Sequence, residues 1–208
     1  MTRLQWVYRT QTRTMLAAVR PHHFTVSEYH RMSEFGILAP SERTELLNGQ
    51  IITMAAKGTA HSSATTLTKT LFERRLSNQA TIRVQDPISL STDSEPEPDI
   101  TLAVLDPLAY STHHPTASEV FLVIEIADSS LKYDLEIKAP TYSKAGILEY
   151  WVLDVIKRQL HVFRQPSQEG YQSQMILAET LEVTPLEFPD CAIAIRELLP
   201  PLLPLTAT

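Results

Sequence analysis

The stretch that most limits the fold is the nearly continuous apolar run from Val120 to Ile126, which Glu125 interrupts. Successive side chains of a strand point to opposite faces of the sheet, so an unbroken apolar run predicts a strand buried on both sides. Glu125 is therefore expected in the interior, where an unpaired carboxylate is costly. We expect a metal ion, a cation or a proton to accompany it.

A second apolar strand is predicted from Ile100 to Val104, and a polar loop over residues 106–118 joins it to the first. If the two strands pair as antiparallel neighbours, Asp99 lies opposite Glu125. Directly opposed residues on one face have Cβ atoms about 4.5–5.5 Å apart. Two carboxylates at that separation repel each other unless a divalent cation lies between them or one takes up a proton. This argument predicts one metal ion bound by both residues.

The segment after the second strand carries a lysine on its apolar side. Read as a helix, it has a stripe at spacings of four, three, four and three, formed by Leu131, Leu135, Lys138, Tyr142 and Ala145. A lysine on a buried stripe requires an anionic partner, and Asp99 or Glu125 would serve. Pro140 interrupts a regular helix, so we expect two short helical pieces that meet near Ala139.

A hairpin is predicted near the N-terminus. Asn48-Gly49 suits a type I′ turn, and it separates Glu45–Leu47 from Gln50–Thr53. Glu45 begins the first strand of this hairpin. From the residues alone, it is interpreted as an exposed carboxylate at a strand end.

A longer amphipathic helix is predicted over residues 59–77, with His61 in its first turn. Its inward side is expected to carry Ala64, Leu67, Leu71 and Phe72. A histidine in a first turn is most often a surface residue or helps to position a loop. The next strand, over residues 81–90, has Gln85 at its centre. That amide is equally consistent with a ladder end and with a group that holds a water or a phosphate oxygen.

The ordered set of these features resembles the PD-(D/E)xK nuclease superfamily and, within it, the Uma-two family of endonucleases. Pro98-Asp99 matches the first element of the superfamily motif, and Glu125-Ile126-Ala127 matches the second. Segments that match the Uma-two pattern more specifically are 45–51, His61, 85–88, 138–142 and 146–151. The resemblance runs roughly from Phe24 to Leu199.

The resemblance implies an α/β fold with a restriction-endonuclease-like core, in which helices flank a central mixed β-sheet behind the N-terminal hairpin. It also implies a Mg²⁺ (or Mn²⁺) site on Asp99 and Glu125. Ala127 stands where the superfamily has its lysine, and the resemblance assigns that role to Lys138. It favours an active-site position for Glu45 and His61 as well.

The length of 208 residues predicts one domain, over residues 21–200, between a flexible basic arm (1–20) and a tail (201–208). The single cysteine excludes an intrachain disulfide and fits a reducing cytoplasm. No apolar run approaches the ~20 residues of a membrane span. The net charge of −6 argues against tight DNA binding, because phosphate contacts usually come from a basic surface.

Three functions remain open at this point. The first is a Mg²⁺-dependent DNA endonuclease that binds DNA transiently, as a homodimer if both strands are cut. The second is a nuclease-like domain that binds a metal, nucleic acid or a partner protein without cutting, which Ala127 and the acidic charge favour. The third is a metal-dependent hydrolase of another, smaller substrate.

Overall fold

The computed structural model describes residues 20–39 and 41–202, so nearly all of the predicted arm lies outside the described residues. The elements that precede the main sheet are α1 (Val26–Glu34), β1 (Thr44–Leu47), β2 (Gln50–Thr53) and α2 (Thr59–Arg75). Thr25 caps α1: its hydroxyl accepts a bond from the Glu28 N–H, and the Glu28 carboxylate accepts one from the Thr25 N–H.

The predicted hairpin is confirmed. Asn48 and Gly49 have φ angles of 51° and 73°, the two positive values that a type I′ turn requires. In the resulting register Glu45 pairs with Ile52. An antiparallel bridge from Leu46 to Glu95 ties the hairpin to the rest of the chain.

Within the described residues, six strands form a mixed sheet. In spatial order they are β3 (Thr81–Arg83), β4 (Ile100–Ala103), β5 (Val120–Ala127), β6 (Glu149–Asp154), β7 (Gln159–Arg164) and β8 (Ser173–Ala178). Only β5 and β6 among these neighbours are parallel. The predicted antiparallel pairing of the two acidic strands is confirmed. The strand predicted over residues 81–90 is wrong in extent, because Gln85 adopts a φ of 56° that ends the ladder.

The helix α2 covers one face of the sheet, where Phe72 packs near Trp151. The predicted inward side of α2 is partly wrong, because Leu67 is only half-buried. The buried residues are His61, Ala64, Thr65, Thr68 and Phe72. A stripe that starts at His61 reaches Thr68 after two turns, so Thr68 takes the place predicted for Leu67.

The other face is covered by a helical segment in three parts. They are α3 (Leu131–Tyr133), a π-helical turn (Asp134–Lys138) and α4 (Ala139–Ala145). The predicted junction at Ala139 is confirmed, and Pro140 lies in the first turn of α4. Gly146 ends α4 with a φ of 86°. The wider π turn brings Asp134 to the buried side together with Lys138.

The C-terminal region packs on the same face of the sheet as α2. Its elements are the strand pair β9 (Glu182–Val183) and β10 (Ile193–Ala194) and a 3₁₀ turn (Ile195–Glu197); a further 3₁₀ turn (Ala117–Glu119) precedes β5. Tyr150, Trp151 and Phe163 are core residues. No helix in the described part of the chain combines the length and the apolar character that crossing a membrane requires.

Candidate active site

The register of β4 and β5 brings the two predicted metal ligands together. Ile100 pairs with Ile124, so Asp99 lies opposite Glu125. The Asp99 N–H is 3.4 Å from Glu125 Oε2, and the Ile126 N–H donates to Asp99 Oδ2 at 2.9 Å. Both carboxylates are buried, with exposed fractions of 6% and 3%.

Lys138 joins the helical layer to these strands. Its Nζ donates to Glu125 Oε1 at 2.9 Å and lies 3.2 Å from Glu45 Oε2. The Tyr142 hydroxyl donates to the same Glu125 oxygen at 2.9 Å. The interpretation of Glu45 as an exposed carboxylate is wrong: the side chain is fully buried, because the hairpin lies against Lys138 and the Glu97 backbone N–H.

His61 approaches Asp99 from the start of α2. Its Nε2 is 3.0 Å from Asp99 Oδ2, and the side chain is buried, so the surface interpretation is wrong. The first turn of α2 lies at the end of the sheet, which directs His61 towards the strand ends. Gln85 Nε2 donates to Asp99 Oδ1 at 3.1 Å, and Lys57 Nζ lies 3.8 Å from that oxygen. Burial favours a raised pKa, but His61, the Ile126 N–H and Lys57 outweigh it and hold the pKa of Asp99 below its usual value.

The remaining acids of the site titrate differently. Burial raises the pKa of Glu125 to about 8 against the opposing effect of Lys138, and nearby carboxylates add to the rise. Burial also raises the pKa of Asp134 to about 6, although Lys138 and the Ser130 hydroxyl oppose the shift. For Lys138 itself burial favours a lower pKa, but Glu125 and Glu45 outweigh it and raise the pKa. The fully ionised site is therefore short of positive charge.

The donors present fit a hard divalent cation. In the part of the chain that the structure describes, four buried carboxylates, those of Glu45, Asp99, Glu125 and Asp134, lie at the site together with two lysines, Lys57 and Lys138. Glu45 Oε1 is buried and has no hydrogen-bond partner among residues 20–39 and 41–202. In the same residues no three His, Cys, Asp or Glu side chains are grouped to hold an ion. Mg²⁺ commonly binds through one or two carboxylates, with waters and phosphate oxygens as its other ligands.

The site opens into a pocket of about 310 Å³. Asp99, Glu125, Lys138 and His61 line this pocket, whereas Glu45 reaches it through its contact with Lys138. Sequence reasoning did not identify Lys57 as a site residue, because it lies in an irregular loop where no periodicity fixes its direction.

Two more residues of the site went unassigned at the level of sequence. Tyr142 was placed on the buried stripe, and its spacing of four from Lys138 is the signal that could have linked it to Glu125. Asp134 lines the pocket as well. It reaches the buried side because the turn around it is π-helical, which the spacing of apolar residues did not reveal.

Two comparisons show which known proteins this chain resembles. The model of the Uma2 family, described as "putative restriction endonuclease", matches residues 26–196. The chain belongs to the Uma2 family. The resemblance to the Uma-two pattern is thereby confirmed, and the match covers every predicted site residue of this Uma2 protein. A search of curated proteins found no match.

A solved structure supports the fold of this Uma2 protein. It is described as "a putative nuclease belonging to DUF820 from Anabaena variabilis". The two are 18% identical and superpose with a TM-score of 0.63, over 80% of this chain and 96% of the other. The predicted fold, a restriction-endonuclease-like core with a central mixed sheet between helices, is confirmed.

Proposed function

We propose that this Uma2 protein is a metal-dependent phosphodiester hydrolase that cleaves DNA. The observation that carries the proposal is the pairing of Asp99 and Glu125 at the ends of adjacent strands, with Lys138 bonded to the second carboxylate at 2.9 Å. Membership of a family described as "putative restriction endonuclease" supports DNA as the substrate.

Asp99 and Glu125 would hold Mg²⁺ (or Mn²⁺). A bound ion of this kind polarises a phosphate and lowers the pKa of an attacking water. The protein's own groups fix the two ligands: His61 and Gln85 bond to Asp99, while Lys138 and Tyr142 bond to Glu125. Such support from neighbouring groups is usual around metal ligands.

Lys138 is proposed as the catalytic lysine, with Glu45 and His61 in supporting roles. Ala127 cannot polarise a phosphate or a water, because its side chain is a methyl group. The ammonium of Lys138, which lies in the helical segment that covers the sheet, bonds to the Glu125 carboxylate. It would orient the attacking water or stabilise charge that develops on the phosphoryl oxygens, and Glu45 would hold it in place through the 3.2 Å contact.

Incubation of supercoiled plasmid with purified protein tests the proposal. We expect nicking or linearisation with Mg²⁺ or Mn²⁺, none with EDTA, and none from Asp99→Asn or Glu125→Gln, because each substitution removes a charged ligand. Glu136→Gln is the matched control, since Glu136 is an exposed glutamate of the same helical segment that pairs only loosely with Lys132. Cleavage that survives the chelator or either substitution contradicts the proposal.

The second candidate is a nuclease-like domain that binds without cutting. The replacement of the superfamily lysine by Ala127 and the net charge of −6 favour it. In that case the wild-type protein binds the metal ion through Asp99 and Glu125 but leaves plasmid intact with every divalent ion tried.

A further inference from the structure

We infer that Lys57 contacts the phosphate of the substrate, an inference that rests on the proposed function. Lys57 lies in the loop between β2 and α2 and lines the same pocket as Asp99 and Glu125. Its side chain is 18% exposed, and its Nζ atom is buried 3.8 Å from Asp99 Oδ1. Across the part of the chain that the structure describes, this Nζ donates no hydrogen bond.

The other lysine of the pocket is already engaged. An ammonium group has three donors, and Lys138 directs Nζ at Glu125 and Glu45 at 2.9 and 3.2 Å. Its side chain is only 2% exposed. Lys138 therefore already donates a hydrogen bond to Glu125 and forms an ion pair with Glu45, whereas Lys57 donates no hydrogen bond within the described residues.

A buried ammonium without a hydrogen bond is unfavourable unless another group supplies an acceptor and a negative charge. A divalent cation on Asp99 would add a second positive charge close to Nζ. An anion placed between the two would satisfy both, and a phosphodiester carries one negative charge on two free oxygens.

The competing explanation is that Lys57 only stands in for the metal ion beside Asp99. The two explanations predict different effects when the charge is removed. If Lys57 stands in for the ion, Lys57→Gln raises the affinity for Mg²⁺ and leaves DNA affinity unchanged. If Lys57 meets the phosphate, the same substitution weakens DNA binding whatever happens to the metal affinity.

Fluorescence anisotropy with a labelled DNA strand in Ca²⁺, an ion with the same preference for oxygen ligands, measures DNA affinity. Calorimetry with Mg²⁺ alone measures metal affinity, and plasmid cleavage is followed in parallel. We expect Lys57→Gln to weaken DNA binding by about tenfold or more, as for one lost charge-assisted hydrogen bond. The salt dependence should also fall by about one phosphate contact. Lys57→Arg should keep most of the affinity.

Lys69→Gln is the matched control, because Lys69 is an exposed lysine of α2 whose ion-pair partner is Glu73. It should bind DNA as the wild type does, and melting temperatures verify that every variant is folded. DNA affinity of Lys57→Gln equal to that of wild type overturns the inference, with or without tighter Mg²⁺ binding.

The same data separate this inference from the proposed function. If the wild type cleaves plasmid, and Lys57→Gln binds DNA and cleaves plasmid as well as the wild type does, the proposed function stands and the role of Lys57 is refuted. If the wild type never cleaves but Lys57→Gln loses DNA affinity, the phosphate contact stands and hydrolysis is refuted. A wild type that neither binds nor cleaves DNA refutes both.

Discussion

At the scale of single residues, the site depends on one lysine that joins two carboxylates from distant parts of the chain. Lys138 connects Glu45 of the hairpin with Glu125 of β5, and all three side chains are buried. Such an arrangement is held together by mutual neutralisation, because any one of these charges would be unfavourable alone. Its integrity can be measured without a substrate.

Lys138→Met should lower the free energy of unfolding by about 3–5 kcal/mol at neutral pH, since the buried Glu45 carboxylate, 3.2 Å from the Lys138 ammonium, would lose its cation. Lys132→Met is the control, because Lys132 is 84% exposed and such a change usually stays within about 0.5 kcal/mol. Urea denaturation measures both. A loss for Lys138→Met no larger than that of the control would mean that the ion pairs contribute nothing to the fold.

The sequence allowed some of these residues to be predicted and not others. Asp99 and Glu125 followed from strand burial, which the local apolar pattern indicates, and from the tendency of consecutive strands to pair. Glu45 and His61 entered through the resemblance alone. Their burial depends on where the hairpin and the start of α2 lie against the end of the sheet, and no spacing within either segment encodes that placement. Their catalytic roles, like those of Asp99, Glu125 and Lys138, stay predictions.

At the scale of elements, the sheet carries a second buried titratable group away from the pocket. His161 of β7 is 5% exposed, and its Nε2 accepts a hydrogen bond from Gln159 at 3.2 Å. Burial lowers the pKa of His161 below 6.5, and Asp154 only partly opposes the shift. A neutral histidine in the folded sheet makes the stability of β7 dependent on pH.

The sign of this dependence follows from proton uptake. Below the unfolded-state pKa of about 6.5 the unfolded chain binds the extra proton, so the contribution of His161 falls as the pH drops through that range. We expect the stability advantage of the wild type over His161→Gln to be larger at about pH 8 than at about pH 5. Urea denaturation at the two pH values measures it, and an advantage that does not change with pH would contradict the assignment.

Element boundaries were predicted well where a local signal exists and poorly elsewhere. The Asn48-Gly49 turn needs two positive φ angles, and it lies where it was predicted. The π-helical turn at Asp134–Lys138 was not predicted, because Pro140 signals an interruption without specifying its form. The early end of β3 depends on the left-handed backbone of Gln85. This conformation is uncommon for a residue other than glycine, so the sequence gives no signal for it.

At the scale of the whole molecule, the fold places the acidic site where the hairpin, the start of α2 and the π-helical turn meet at one end of the sheet. Part of the net charge of −6 is therefore concentrated in one place, since four acids lie in the region proposed to bind a cation. The homodimer, the cytoplasmic location and the division into arm, domain and tail stay predictions. Their test requires the intact chain in solution.

The proposed function requires Asp99 and Glu125 to share one metal ion. Isothermal titration calorimetry with Mg²⁺ or Mn²⁺ tests it most directly, on the wild type and on Asp99→Ala and Glu125→Gln, with Glu136→Gln as the control. We predict one ion per chain for the wild type and the control, and no measurable binding to the other two variants. Equal heats from the wild type and Asp99→Ala would contradict the claim.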